Sequence, residues 1–202
     1  MVAIAYRACI SEQWVIVEMR NFMTQHYFIG IHMGAFAAQL ARPFIQQNRL
    51  NQHYKVLTHE EDYHLTLLYV GALTNSEVSQ LQQALHVIAN ETPTFSITIN
   101  GFHYFGNPYG PRVLYLSIAS NDALMRLQKK VFKATTPYLA SHVKNRFNPH
   151  ITISKKRKSD EALEINQPII EPVVFPVHSF ELFSIHPRQI QKYQIIHPFL
   201  LQ

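Results

Sequence analysis

The chain has 202 residues, of which 47% are hydrophobic, 12% aromatic and 15% charged, with six glycines, one cysteine and a formal charge of +5. A chain of this length and make-up can bury roughly 70% of its unfolded surface, which excludes intrinsic disorder, while the glycine and cysteine counts exclude a collagen-like repeat, a disulfide framework and a Cys-rich zinc or iron–sulfur site. Lys155, Lys156, Arg157 and Lys158 supply four of the positive charges, so the rest of the molecule is close to neutral and attraction for an anion is local, at one predicted loop.

Residues 1–22 carry Arg7 inside their first apolar run, unlike a secretory signal, and are expected to form an extension that is dispensable for activity. Met19 or Met23 offers a start close to the first strand. Residues 23–202 are expected to make one two-lobed domain. HYFIGIH (26–32) reads as a strand and 34–49 as a helix that Pro43 kinks. Strands are predicted at 54–58 and 63–70, the second ended by Gly71. Thr74 and Glu77 form a capping box for a helix from Ser76 to Asn90, with Val78, Leu81, Leu85 and Ile88 on one face. Then follow a strand at 94–100, a Gly/Pro-rich loop at 105–111 and a strand at 112–119. Asn121 or Asp122 caps a helix over 122–140, and Pro149 leads into the strand HITIS. The tail from 168 holds five prolines and two strand-like runs, expected at sheet edges.

A long, diverged repeat underlies this order. Thirty-eight residues separate His26 from His64, and again Arg112 from His150. Each interval runs from a strand through an amphipathic helix to a strand that begins His-apolar-Thr-apolar, and the two copies are offset by 86 residues. In a strand, residues i and i+2 share a face. His64 and Thr66 therefore project together with Leu65 and Leu67 behind them, and His150 and Thr152 repeat the arrangement over Ile151 and Ile153. Composition alone predicts about 0.13 such tetrads in this chain, so two at matched spacing point to a paired site. Such a site can supply a general base, a general acid and hydrogen-bond donors to one reacting group. Two imidazoles near pKa 6.5 can share those proton transfers. Which is acid and which is base does not follow from the spacing.

HLTLLYVG (64–71), RVLYLSI (112–118) and NPHITISK (148–155) resemble the LigT-like branch of the 2H phosphoesterases, the RNA 2',3'-cyclic phosphodiesterases also called 2'-5' RNA ligases. The resemblance implies an α+β, bilobal fold in which two pseudo-symmetric antiparallel sheets face a central cleft with helices outside. It implies His64 as proton donor, His150 as proton acceptor, and Thr66, Thr152 and Lys155 as phosphate ligands, Lys155 standing where arginine is more usual. Leu68 stands where many members carry lysine. The implied substrate is an RNA or oligonucleotide with a 2',3'-cyclic phosphate end, opened to a 2'-phosphate and reversibly joined as a 2'-5' linkage. No metal or other cofactor is expected, nor a membrane partner, and the expected state is a monomer.

Two rival functions share these residues: a phosphodiesterase for 2'-5' oligoadenylate or another cyclic nucleotide, and a non-catalytic nucleotide- or RNA-binding module. A third reading takes His59, Glu60, Glu61, Asp62 and His64 as metal ligands, though their spacing is not that of a zinc helix. Tyr63, Phe105, Tyr109 and Phe147 lie near the motifs and are candidates for base stacking. His103, His142, His178, His186 and His197 read as structural or surface residues. Lys155 to Lys158 read as a solvated loop, a phosphate-binding rim or, last, a nuclear signal.

Overall fold

The computed structural model describes residues 25–139 and 144–202; the predicted extension (1–22) and His142 lie outside them. Nine strands follow in chain order: β1 (His26–His32), β2 (Tyr54–Leu57), β3 (His64–Ala72), β4 (Phe95–Asn107), β5 (Gly110–Ile118), β6 (His150–Arg157), β7 (Val173–Val177), β8 (Ser179–Ile185) and β9 (Tyr193–Leu200). The helices are α1 (Gly34–Gln47), α2 (Leu50–His53), α3 (Asn75–Asn90) and α4 (Asp122–Thr135). All strand pairs are antiparallel, in the order β7-β4-β5-β6-β3-β1-β8-β9, with β2 beside β6.

This α+β sheet has two halves, each built around one motif strand, four strands on the β3 side and five with β2 on the β6 side, and a single pair, Leu65 opposite Ile151, joins them at β3 and β6. The pairing order is the same outward from the join: β3 with β1 and then β8, β6 with β5 and then β4. Leu65, Leu67, Ile151 and Ile153 are buried on one face, in one core with Ala37, Ala41 and Phe44 of α1, Leu81 and Leu85 of α3, and Leu124 and Leu127 of α4. The histidines and threonines of the motifs face the other way. Among the described residues no helix is long and apolar enough to cross a membrane.

Local chemistry accounts for the helix starts. Thr74 Oγ1 accepts from the Glu77 amide while Glu77 Oε2 accepts from the Thr74 amide at 2.7 Å, a complete capping box. Those bonds hold the Glu77 carboxyl below its ordinary range. Asn121, not Asp122, caps α4 through a 2.9 Å bond from the Leu124 amide.

Several boundaries differ from the sequence reading. Gly71 does not end β3: its φ of +93° continues the strand past a bulge at Val70. Most of the predicted loop at 105–111 is strand, because Gly106, at φ +102°, accommodates a register shift and leaves a tight turn at Pro108 and Tyr109. The helix after Asn121 ends at Thr135, followed by a short 3-10 turn (Thr136–Tyr138). Lys155, Lys156 and Arg157 are not in a loop; they extend β6 because β2 and β5 both pair there. Of the two strand-like runs in the tail, β9 is an edge as expected and contains Pro198, whereas β8 is internal, between β1 and β9; the opposite edge is β7, which contains Pro176 and lies outside both predicted runs.

Candidate active site

The join between the halves sets the geometry of the motifs. Extending the Leu65–Ile151 register by one residue each way places His64 across from Thr152 and Thr66 across from His150, all four half-buried on the face away from the core. Directly opposed residues in an antiparallel pair have Cβ atoms about 4.5–5.5 Å apart. That register sets each imidazole opposite the other repeat's threonine.

Both rings are oriented in the same way. His64 Nδ1 donates to the Asp62 carbonyl at 2.7 Å, and His150 Nδ1 donates to the Asn148 carbonyl at 2.8 Å. A carbonyl only accepts, so the neutral tautomer of each ring carries its proton on Nδ1 and leaves Nε2 free for a ligand. The ring walls are equivalent too. Phe28 lies 4.6 Å from His64 and stacks on Phe183, with Tyr193 edge-on to His64 at 4.9 Å. Phe105 and Tyr115 flank His150 at 5.0 and 5.3 Å. Gly30 makes the first wall possible, since a Cβ there would stand 2.9 Å from the Leu65 carbonyl oxygen and 3.4 Å from the Phe28 ring.

A bulge brings Lys155 to the same face. Tyr115 pairs with Thr152 but Leu114 pairs with Ser154, so Ile153 is an extra residue in β6 and the side-chain alternation inverts after it. Ile153 and Ser154 are consecutively buried, and Lys155 emerges beside His150 and Thr152. Its charge reaches His64. Burial first, and then Lys155, His150 and His32, push the His64 pKa down to about 4, against the Asp62 carbonyl bond, which raises it. Burial also lowers the His150 pKa.

Asp62 has a second part in this geometry that its position in the sequence does not announce. Its buried carboxylate accepts from the Lys192 amide at 2.8 Å and from the Tyr193 amide at 3.1 Å, which fastens the start of β9 under His64 while its carbonyl orients that ring. Asp62→Ala is expected to lower kcat at least about tenfold, because small misplacements of a reacting group cost that much or more, and to lower Tm. Asp62→Asn, which keeps an acceptor oxygen, is expected to do less; steady-state kinetics and thermal melts check both.

The remaining sequence candidates divide. Tyr63 is buried in the core and Phe147 packs against it, so neither is a stacking surface; Tyr109 is exposed at the β4–β5 turn. Phe105 stays beside His150, and His103, read as structural or surface, lies parallel over Tyr115 at 5.7 Å. His59 caps a short 3-10 turn (Glu60–Asp62), and Glu60 pairs with Arg42 at 3.2 Å. Among the described residues no three His, Cys, Asp or Glu side chains converge as a metal site would need. Arg157 lies over the Tyr54 ring and donates to the Glu161 carbonyl at 2.6 Å, and Lys158 donates to the Asn51 carbonyl at 2.7 Å. These two cations hold the fold together locally, whereas Lys156 is exposed at φ +63°. A concavity of about 530 Å³ lies elsewhere, between the end of α1 and residues 163–167, and contains neither motif.

The sequence profile of the 2'-5' RNA ligase superfamily matches residues 36–188, a span that contains both motifs. The chain belongs to this superfamily. It is 31% identical over 179 residues to the RNA 2',3'-cyclic phosphodiesterase of Bacillus subtilis (strain 168), covering 87% of this chain and 96% of that protein. With the protein of the same name from Thermotoga maritima it shares 28% over 162 residues, covering 78% and 84% of the two chains. Its fold is similar to that of Escherichia coli LigT in the apo form, with a TM-score of 0.72 at 20% identity over 89% of this chain and 98% of LigT. In this member of the superfamily Leu68 turns toward the core, because Leu67 is an extra residue in β3 as Ile153 is in β6.

Proposed function

We propose that the protein hydrolyses the 2',3'-cyclic phosphate at an RNA end to a 2'-phosphate, with His64 as acid, His150 as base, and Thr66, Thr152 and Lys155 as ligands of the phosphoryl oxygens. The observation that carries this reading is the matched pair of Nδ1–carbonyl bonds, which leaves two Nε2 atoms free on the face that also carries Thr66, Thr152 and Lys155. His150 Nε2 takes a proton from water as its oxygen bonds to phosphorus. The P–O3' bond breaks, and His64 Nε2–H delivers its proton to O3'. The ring pair ends with its protonation exchanged and relaxes through solvent. In-line attack requires the water and O3' to lie on opposite sides of phosphorus, which suits two imidazoles facing one cleft from different strands.

In the free protein His64 is held neutral by burial and by neighbouring positive charge. Its acid role therefore depends on the substrate anion, which offsets Lys155 and favours the imidazolium. The names of the relatives, RNA 2',3'-cyclic phosphodiesterase, support the substrate class. Attack by a 5'-hydroxyl in place of water is the same displacement with another nucleophile: the P–O3' bond breaks, O3' takes the proton, and a 2'-5' linkage forms.

The test is to incubate the protein in excess EDTA with oligonucleotides ending in a 2',3'-cyclic phosphate and read the products by phosphorus NMR. A 2'-phosphate is expected, with turnover undiminished by the chelator, since side chains supply every proton transfer and phosphate contact in the scheme. A predominant 3'-phosphate would reverse the orientation and the acid and base roles. Loss of turnover restored by a divalent ion would replace the scheme with a metal-assisted one.

A further inference from the structure

The two halves of the cleft correspond residue by residue at an offset of 86 up to one telling position. Leu65 matches Ile151, and the bulge residue Leu67 matches the bulge residue Ile153. Beyond the bulges the next residue on the cleft face is Lys155 in β6 and Tyr69 in β3. Tyr69 pairs directly with Phe28, whose ring walls His64, so Tyr69 stands on the same face as the histidine. It is 52% exposed, an unusual state for a large ring beside a cleft. Its hydroxyl is held by His26 Nδ1 at 2.5 Å, and His26 is two residues from Phe28 and on the same face of β1.

The cleft is thus symmetric in its acid–base groups and asymmetric at its ends. One end offers a cation. The other offers a flat apolar ring anchored by an imidazole. We propose that Tyr69, fixed by His26, is the stacking platform for the nucleobase of the nucleotide that carries the cyclic phosphate. This rests on the phosphodiesterase reading above and adds where the base lies.

The aromatic residues of the other half are poorer candidates. Phe105 is half-buried and packs against both Tyr115 and His150, Tyr115 is only 6% exposed, and His103 covers its face. Tyr69 pairs with His26 alone among the described aromatic rings, tilted by 40° at 6.1 Å between centroids, so no ring is stacked on either of its faces. Base stacking on an exposed aromatic is tolerant of sequence, so a preference for one base is not expected.

The experiment compares adenosine 2',3'-cyclic phosphate with ribose 2,3-cyclic phosphate, which has the same reacting group and no base, for the wild type, Tyr69→Ala, Tyr69→Phe and Phe105→Ala. For Tyr69→Ala the loss of kcat/KM on the nucleoside substrate is expected to exceed the loss on the ribose substrate by roughly ten- to a hundredfold, the range of one stacked base. Tyr69→Phe keeps the ring and is expected to restore most of that ratio. Equal losses on the two substrates, or a base-dependent loss in Phe105→Ala instead, would overturn the platform. Calorimetry with adenosine 2'-monophosphate and ribose 2-monophosphate reads the same ratio without turnover. If the wild type turned over neither cyclic substrate, the phosphodiesterase reading would fail alone, and the calorimetric ratio would still decide for or against Tyr69.

Discussion

His64→Ala and His150→Ala are each expected to lower turnover of a 2',3'-cyclic phosphate end by at least about two orders of magnitude, the usual scale for a lost general acid or base. The fold should persist. Both rings are half-buried at the cleft face, and the core behind them is made by Leu65, Leu67, Ile151 and Ile153. Circular dichroism and Tm check that each variant is folded, and a variant that retained near-wild-type turnover would end the paired mechanism. The two losses are separable. With a phosphodiester whose leaving group is p-nitrophenoxide, which departs without a proton, His64→Ala should lose much less than His150→Ala. Equal losses on that substrate would remove the assignment of His64 as the acid.

The repeat was readable in the chain because it is written in spacing. Thirty-eight residues between His26 and His64, and between Arg112 and His150, put both motif strands in equivalent places, and β3 and β6 do meet at the centre of the sheet. What alternation cannot reveal is where alternation breaks. The bulges at Leu67 and Ile153 leave no local signature, since either residue is a good strand former on paper, yet they decide that Lys155 and Tyr69 face the cleft and that Ser154 and Leu68 do not. Period-2 reading places Lys155 on the face opposite His150, and only the superfamily resemblance pointed to it.

Asp62 was hidden for a different reason. Its two amide partners, Lys192 and Tyr193, lie about 130 positions later, and long-range backbone bonds have no pattern in a sequence. Prolines misled in the opposite direction. Pro172 and Pro176 concealed β7, although an edge strand tolerates a residue that cannot donate. The basic run reads as a loop because a run of charges ordinarily marks a solvated segment. Arg157 shows the alternative, a guanidinium laid over Tyr54 within the sheet.

The pH dependence follows from the direction in which both imidazoles are shifted. The productive form needs one ring protonated and one neutral, so kcat/KM should trace a bell that falls about tenfold per pH unit on each outer limb. Burial lowers both pKa values in the free protein, His64 to about 4, so the maximum of kcat/KM is expected on the acid side of 6.5, the unperturbed value for histidine. The limbs belong to the pair, not to either ring. Once the anionic substrate is bound, the imidazolium is stabilised and the alkaline limb of kcat should move to higher pH than that of kcat/KM. The same shift bears on stability with a definite sign. Unfolded His64 binds its proton near 6.5, whereas folded His64 stays neutral down to about 4, so over that interval the unfolded chain holds more protons and stability falls as pH falls. His64→Gln should flatten that part of the stability curve, read from chemical denaturation between pH 4 and 7. A kcat/KM optimum well above 6.5 in the wild type, or an unchanged acid-side stability slope in His64→Gln, would show that His64 titrates normally and that the cleft exerts no such control over its proton.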